Sequence, residues 1–387
     1  MKMNNRNINT IINAITESIG QKRDYYAVHE PIIPSSIMSH VSNAIKSNYI
    51  SSLGEYMDKF RDQIQKITNA NYVILTNSGT SALQMIFNRL SIQNCEVLVP
   101  SMSFVATSNA VIYNNGIPHF IDSLSDHPCI DTGKLEKYLN DNFIIKNDNC
   151  YNPKTKRKVR AIIGVHAFGN CVEIDKLKKI CKNFKLELIE DAAGAIGSFY
   201  KSLHVGSLSN YGILSFNGNK LITTGMGGAL LLKKKSDYLA MKHQISTARI
   251  KHPYEIAHDE VGYNFRMTNI NAAIGYSQLL VLNKTLIKKK LLFNRYNDEF
   301  KKFEYCKIIK PGKNEKPNYW INNLLFENLS ENMRKKLFHH LHKEKLLCRA
   351  LWTPLHSLKM NNKYPKMNLS NSLHLWKNTI SLPSSYL

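Results

Sequence analysis

A regular alternation of short apolar runs with helical patterns constrains the fold more than any other feature. Between consecutive runs lie helical patterns, such as Ser103 to Tyr113 and Asp175 to Phe184. Parallel strands need long crossovers, usually helices, so this rhythm predicts an α/β domain with a mostly parallel central sheet. Ligands of such sheets bind at the carboxyl ends of the strands. The predicted strands are Tyr72–Thr76, Glu96–Pro100, Ile117–Ile121, Arg160–Val165, Leu186–Glu190, the run from Ile213 to Phe216, and Ala229–Lys233.

The chain of 387 residues is long enough for a large domain and a smaller one. Apolar residues at helical spacing predict an amphipathic N-terminal helix reaching about Tyr25. Beyond about Asn283 the strand and helix rhythm gives way to longer helices and short extended pieces. We therefore expect an N-terminal helical segment (1–25), a large α/β domain (26–282) and a small C-terminal α+β domain (283–387).

Composition excludes several classes of protein. No stretch approaches the roughly 18 unbroken apolar residues of a membrane helix. The polar N-terminus also lacks the apolar core of an export signal, which predicts a soluble cytoplasmic protein. The seven cysteines are odd in number and contain no C-x-x-C pair. This pattern predicts free thiols rather than a disulfide framework or a zinc site.

The formal net charge of +23 is the most unusual global property of the chain. Nucleic acid, an anionic surface or an anionic small substrate could each account for it. The basic runs Lys154–Lys158, Lys233–Lys235 and Lys288–Lys290 are dispersed and carry no nucleic-acid-binding signature. We interpret them as solvated faces. We therefore expect neither a nucleic-acid partner nor membrane insertion.

The segment from Tyr211 to Gly228 is the strongest candidate for chemistry. An apolar run delivers Ser215 and then Lys220 into a turn, followed by a segment rich in glycine. A lysine amine is a nucleophile only when deprotonated, so a catalytic lysine needs a lowered pKa. The alternative is an ordinary surface lysine. The run Leu186–Glu190, which ends beside Asp191 and continues in small residues, favours the catalytic interpretation because it has the form of a functional strand end.

Two further strand ends carry candidate ligand-binding residues. Asn77–Ser81 is a turn of small residues before a helix, where free backbone N–H groups could hold a phosphate. Serine and threonine also serve as ordinary helix caps at such positions. Phe104 follows another strand and could stack on a flat ring or pack in the core. A phosphate cradle, an aromatic, Asp191 and Lys220 together form the set that pyridoxal phosphate requires.

At these residues the chain resembles the DegT/StrS family of nucleotide-sugar aminotransferases, from about His29 to Ser384. The resemblance implies a fold type I pyridoxal-phosphate-dependent transferase, similar in architecture to aspartate aminotransferase. Related enzymes that remove a sugar hydroxyl carry histidine at the position of Lys220, so the lysine favours amination. The motifs are Asn77–Leu83, Ser103–Ala110, His166–Gly169, Glu190–Ala193, Ser215–Lys220, Gly225–Gly228, Gly262–Met267 and Trp352–His356.

The resemblance also implies roles for individual residues. Lys220 would form the imine with the cofactor, pyridoxal 5'-phosphate, and shuttle protons, while Asp191 would pair with the pyridine nitrogen and Phe104 would stack on the ring. Family members are homodimers with shared active sites, so Asn264 would reach the phosphate bound by the partner subunit. The residues implied to bind the phosphate within the chain are Gly79, Thr80 and Ser215.

Several segments look most similar to the family branch that aminates UDP-linked 4-keto-6-deoxy-N-acetylhexosamines, with glutamate as the expected amino donor. They include Tyr49–Gly54, His258–Asn264 and the run Tyr319-Trp-Ile-Asn. The alternatives are a GDP-4-keto-6-deoxymannose aminotransferase, as in perosamine synthesis, and a cofactor-binding regulatory protein without turnover.

Three positions depart from the family pattern. Members usually carry Gln, His or Glu where this chain has Gly194, and usually an acidic residue where it has Met226. Relatives commonly continue with a closing helix beyond the position of Leu387. We expect these departures to affect the tuning of activity rather than the class of reaction.

Overall fold

The computed structural model describes residues 5–20 and 23–385. The helices are α1 (Asn5–Ile19), α2 (Ser36–Lys46), α3 (Glu55–Thr68), α4 (Gly79–Leu90), α5 (Val105–Tyr113), α6 (Thr132–Asn142), α7 (Ile174–Phe184), α8 (Lys235–Gln244), α9 (Asn269–Leu279), α10 (Leu282–Phe300), α11 (Glu331–Lys343) and α12 (Ser370–Asn378).

The strands of the described residues run from Tyr26 to Ser381. They are β1 (Tyr26–Ala27), β2 (Tyr72–Thr76), β3 (Glu96–Pro100), β4 (Ile117–Ile121), β5 (Ile144–Lys146), β6 (Asn149–Asn152), β7 (Arg157–Val165), β8 (Glu187–Asp191), β9 (Phe199–Tyr200), β10 (Leu203–His204), β11 (Tyr211–Ser215), β12 (Gly228–Leu232), β13 (Cys306–Ile308), β14 (Glu315–Lys316), β15 (Asn323–Phe326), β16 (Leu346–Leu347), β17 (Arg349–Ala350) and β18 (Thr379–Ser381).

The large sheet has the strand order β2-β12-β11-β8-β7-β3-β4, with the β5–β6 hairpin attached to β7. The pairs β11–β8, β8–β7, β7–β3 and β3–β4 are parallel, whereas β12 is antiparallel to both of its neighbours. The predicted α/β fold with a mostly parallel sheet is confirmed. Apolar side chains on helices such as α4 and α7 cover the sheet and form its core.

A second apolar cluster joins the N-terminal helix to the C-terminal part of the chain. Ile11 and Ile15 of α1 are fully buried with Tyr296 of α10 and with residues of the small antiparallel sheet β13-β15-β18-β17. The N-terminal segment therefore shares a core with the C-terminal elements. The division of the chain at about residues 25 and 282 remains a prediction.

Helix α1 is shorter than the pattern predicted. We expected the helix to reach about Tyr25, but it ends at Ile19 because Gly20 adopts a left-handed conformation with φ 70°. The amide of Gly20 donates to the carbonyl of Thr16 at 3.0 Å. Residues 1–4 and 21–22, also covered by this prediction, lie outside the described residues.

All seven cysteines lie within the described residues, and each is a free thiol, as predicted. Burial raises the pKa of several of them, to about 12 for Cys150 and Cys181. Among the helices of residues 5–20 and 23–385, none combines the length and the apolarity that crossing a membrane requires.

Candidate active site

The parallel strands deliver their carboxyl ends to one edge of the large sheet, where a cavity of about 360 Å³ opens. The strands β2, β3, β7, β8 and β11 each contribute a strand end or the loop that follows it. Six of the seven residues predicted for the site line this cavity together. They are Gly79, Thr80, Phe104, Asp191, Ser215 and Lys220.

The first turn of α4 forms the cradle at one end of the cavity. Ser78 caps the helix, since its hydroxyl accepts a hydrogen bond from the amide of Ser81 at 3.0 Å. A Cβ atom at Gly79 would lie 3.0 Å from Cβ of Ser215, and one at Gly228 would lie 2.5 Å from the Gly79 nitrogen. Glycine at these positions therefore lets three chain segments meet around the helix N-terminus, where free N–H groups favour an anion. The turn therefore contains both a helix cap, at Ser78, and backbone N–H groups suited to a phosphate.

Asp191 ends β8 with its carboxylate held by two donors. The hydroxyl of Thr107 donates to Oδ2 at 2.8 Å, and the backbone amide of Ala193 donates to Oδ1 at 3.1 Å. The Oγ atoms of Ser103 and Thr107 are 2.9 Å apart, which extends the contact to a short chain of hydroxyls on α5 and its preceding loop. The carboxylate is therefore oriented before any ligand binds.

Lys220 lies in the turn between β11 and β12. The turn is closed by the amide of Phe216, which donates to the carbonyl of Gly227 at 2.8 Å. Burial lowers the pKa of Lys220 to about 8, against the opposing attraction of the Asp191 carboxylate. The amine also lies 4.2 Å from the centre of the Trp320 ring. A lysine with this pKa supplies free amine near neutral pH, which an ordinary surface lysine does not.

An aromatic wall forms another side of the cavity. Phe104 is 54% exposed, so it is not a core residue, and its ring lies edge-on to Trp352 at 6.1 Å. Trp352 in turn stacks on Phe168 at 4.1 Å. Phe168 has an uncommon positive φ of 57°, which directs its buried ring towards this stack.

Behind Asp191, a buried histidine and glutamate hold the floor of the cavity. The amide of Val172 donates to Nδ1 of His166, so Nε2 carries the proton and donates to Glu190 at 3.2 Å. Glu190 also accepts from the amides of Gly206 and Ser209. Although burial raises the pKa of Glu190, the hydrogen bonds from His166 and these amides hold it below its usual value. The Glu190 carboxylate thus fixes the loop between β10 and β11.

Asn264 is the one predicted site residue that the fold does not bring into this cavity. It is exposed, on the loop between α8 and α9, and forms an isolated bridge with Ser246. The neighbouring Phe265 accepts a hydrogen bond from the amide of Asn77 at 2.7 Å, so the Asn264 loop lies beside the cradle.

Sequence reasoning did not assign roles to several residues that line the cavity. Trp320 entered the sequence analysis only as part of the run Tyr319-Trp-Ile-Asn, whose resemblance to one family branch indicated no contact with Lys220. Trp352 and His166 lie in the motifs listed above for the resemblance, but nothing in their spacing indicated their partners. Thr107 could be recognised only once α5 had been placed against β8.

Comparison with known proteins gives a consistent result. The DegT/DnrJ/EryC1/StrS aminotransferase family matches residues 31–386 of the chain. The GDP-perosamine synthase of Escherichia coli O157:H7 is 30% identical over 362 residues, 93% of each chain.

A second relative is named for a different sugar nucleotide. The UDP-4-amino-4,6-dideoxy-N-acetyl-beta-L-altrosamine transaminase of Campylobacter jejuni 81-176 is 28% identical over 356 residues, covering 91% of this chain and 90% of its own. Among solved structures, Helicobacter pylori PseC, an aminotransferase involved in the biosynthesis of pseudoaminic acid, superposes with a TM-score of 0.84 at 25% identity. The match covers 93% of this chain and 94% of that one.

Proposed function

Since the chain belongs to the DegT/DnrJ/EryC1/StrS aminotransferase family and is thus a sugar aminotransferase that uses pyridoxal phosphate, we propose that it aminates a UDP-linked 4-keto-6-deoxy-N-acetylhexosamine. Glutamate is the proposed amino donor. The observation that carries the proposed amino transfer is the cavity in which the Lys220 amine, the Asp191 carboxylate and the α4 cradle converge, whereas the choice of sugar rests on the resemblance and the relatives discussed below.

The residues of the cavity fit pyridoxal phosphate. The N-terminus of α4, with Gly79, Thr80 and the nearby Ser215, suits a phosphate because it offers N–H groups, hydroxyls and no side chain at the closest approach. Asp191 suits a protonated ring nitrogen, and the exposed face of Phe104 suits a flat ring. When bound, the cofactor supplies the electron sink that makes a carbon next to nitrogen acidic.

Lys220 is proposed as the residue that binds the cofactor covalently and then moves a proton at Nζ. With a pKa of about 8, its amine exchanges protons readily near neutral pH, as general acid–base catalysis requires. Asp191 is proposed to hold the ring nitrogen in its charged form, and its orientation by Thr107 and Ala193 keeps that contact without reorganisation.

Two lines of support favour a UDP-linked N-acetylhexosamine. The run Tyr319-Trp-Ile-Asn resembles that branch of the family, and the relatives from Campylobacter jejuni and Helicobacter pylori carry names of N-acetylated sugar or pseudoaminic acid metabolism. The second candidate is a GDP-linked 4-keto-6-deoxymannose, which the 30% identity to a GDP-perosamine synthase supports.

We also propose a homodimer in which Asn264 reaches the phosphate site of the partner subunit. The loop that carries Asn264 exposes large apolar side chains, among them Tyr254 at 83% and Val261 at 85%. Exposed apolar residues at this density are typical of surfaces that pair with another protein. A two-fold interface would bring each loop to the opposite site.

A half-reaction assay tests the proposed substrate. Enzyme converted by glutamate to the pyridoxamine form is mixed with a UDP-linked or a GDP-linked 4-keto sugar, and the absorbance of the cofactor is followed. We expect the UDP-linked N-acetylated sugar to restore the pyridoxal form faster than the GDP-linked sugar. Faster recovery with the GDP-linked sugar would replace the first candidate by the second.

A further inference from the structure

Trp320 is fixed in the cavity wall at three points. Its amide donates to Oδ1 of Asn318 at 2.9 Å, and its indole Nε1 donates to the carbonyl of Asn219 at 3.0 Å. Its own carbonyl accepts from the buried Lys289 amine at 2.9 Å. Trp320 is only 2% exposed, so the indole has one well-defined position.

Asn318 joins the Trp320 segment to the loop after Asp191. It is fully buried, and its amide group donates to the carbonyls of Gly194 and Ile196, both at 2.9 Å. Between Asn318 and Trp320, Tyr319 has a positive φ of 53°. A non-glycine residue in that conformation carries strain, which the surrounding contacts must hold. The backbone is thus bent so that the indole faces the cavity.

Gly194 makes room for this indole. A Cβ atom at position 194 would lie 2.5 Å from Cε3 and 2.6 Å from Cζ3 of Trp320, closer than such atoms approach. The backbone of Gly194 does not have a positive φ, in contrast to Gly197 at 80°. Its own conformation therefore does not require glycine, and the indole is the reason for the missing side chain.

The same indole faces the amine of Lys220, at 4.2 Å from the ring centre. An ammonium group over an indole is stabilised by the ring quadrupole, most strongly where water is excluded. We propose that Trp320 is a positioning residue for Lys220, holding its amine against the indole face, and that Gly194 is its obligatory small partner. The relevance to catalysis rests on the proposed function, whereas the contact itself can be tested in the cofactor-free protein.

Several charged or titratable groups surround this contact. The Asp191 carboxylate attracts the Lys220 ammonium, and His166 lines the same cavity. The ring of His29 lies edge-on to the indole at 6.3 Å and is near enough for the Lys220 charge to lower its pKa, while the amine of Lys289 donates to the backbone carbonyl of Trp320. Burial holds the pKa of both His29 and Lys289 well below their usual values. These four groups are not altered in the variants below. A smaller side chain at position 320 also admits water, which would raise the pKa of Lys220, so a decrease in this pKa reports on the loss of the indole ring.

The experiment measures the pKa of Lys220 in the cofactor-free protein. Fluorodinitrobenzene labels free amines, and the labelling rate of the Lys220 peptide is followed by mass spectrometry from pH 6 to 10. Trp320→Leu keeps the wall apolar but removes the ring quadrupole. A cation–π contribution of roughly 0.5 to 2 kcal/mol corresponds to a decrease in the pKa of about 0.4 to 1.5 units. Trp320→Phe retains a ring, so we expect a smaller decrease.

Trp376→Leu is the matched control, because Trp376 contacts Arg334 in a separate surface cavity. It should leave the labelling profile of Lys220 unchanged. An unchanged or raised Lys220 pKa in folded Trp320→Leu would overturn the proposal. Melting curves identify variants that do not fold.

Gly194→Ala tests the pairing without removing the indole. Its methyl group should displace the ring, lower the pKa of Lys220 and weaken pyridoxal phosphate binding about tenfold or more. In the Trp320→Leu background the same substitution should cost much less, because the space is free. Equal costs in both backgrounds would overturn the pairing, as would an unchanged Lys220 pKa in Gly194→Ala. Failure of the UDP-linked sugar as substrate would instead refute only the proposed function.

Discussion

Asp191→Asn separates the proposed role of Asp191 from a general contribution to stability. In the folded chain the carboxylate accepts from Thr107 at 2.8 Å and from Ala193 at 3.1 Å. An asparagine can keep its oxygen towards the Ala193 amide, and the Thr107 hydroxyl can turn towards Ser103, whose Oγ is 2.9 Å away. The rearrangement therefore costs about 1 kcal/mol of folding free energy, the typical contribution of one hydrogen bond.

The cost for cofactor binding is larger. A hydrogen bond to a charged partner contributes roughly 1.5 to 3 kcal/mol, so pyridoxal phosphate should bind about 10- to 150-fold more weakly. Turnover should fall further, because an amide does not keep the ring nitrogen charged. Binding is measured by absorbance titration of the cofactor-free protein, and turnover by the half-reaction with glutamate.

Asp237→Asn is the matched control for this substitution. Asp237 is also buried and accepts from Arg89 at 2.8 Å and Tyr211 at 2.9 Å, but it does not line the cavity. It should lower the melting temperature and leave the dissociation constant of pyridoxal phosphate unchanged. Wild-type cofactor affinity and full turnover in Asp191→Asn would refute the proposed role.

Three further predictions concern Lys220 and the dimer. Lys220→Ala should abolish transamination while the protein still folds and binds pyridoxamine phosphate, and near wild-type turnover would contradict the assignment. Because the folded pKa of Lys220 is about 8, below that of a free lysine, the rate of cofactor capture by the cofactor-free protein should rise with pH and level off above about 8. A capture rate independent of pH from 6 to 9 would argue against the lowered pKa of Lys220. Between about pH 8 and 10.5 the unfolded chain binds more protons at this lysine than the folded chain does, so the free energy of unfolding should increase with pH across that window. Mixing inactive Lys220→Ala chains with chains whose Asn264 is replaced to prevent cofactor binding should restore up to about half of the activity per dimer, and no recovery in proven mixed dimers would rule out a shared site.

The sequence predicted the sheet and most of the cavity because both depend on local patterns. Apolar runs such as Tyr72–Thr76 and Glu96–Pro100 coincide with β2 and β3, since strands that helices cover on both faces are apolar throughout. The same logic places Asp191 and Ser215 at one edge of the sheet. The direction of β12 was not predictable in this way, because an apolar run has no signature of its orientation.

Contacts between distant segments could not be predicted from local patterns. Trp320 and Gly194 are 126 positions apart, and their fit depends on the bend at Tyr319 and on the buried amide of Asn318. A glycine in the sequence usually suggests a turn, whereas Gly194 reflects the volume of a distant side chain. Likewise, the hydroxyl of Thr107 has meaning only beside Asp191.

The antiparallel pairing of β12 with β2 has a consequence for synthesis of the chain on the ribosome. Strand β2 lies at the edge of the sheet, and within residues 5–20 and 23–385 its partner strand is β12, with Thr76 opposite Gly228. Thr76 also forms an isolated bridge with Arg266, which lies later in the chain than β12. The nascent chain therefore carries β2 without its partner until β12 has emerged, on the order of 10 s or more at ~5–20 residues per second. During that interval an apolar strand edge is open to wrong pairing. The phosphate cradle, where Gly228 meets the backbone of Ser78 and Gly79, cannot assemble earlier, so cofactor capture must wait until β12 has joined β2.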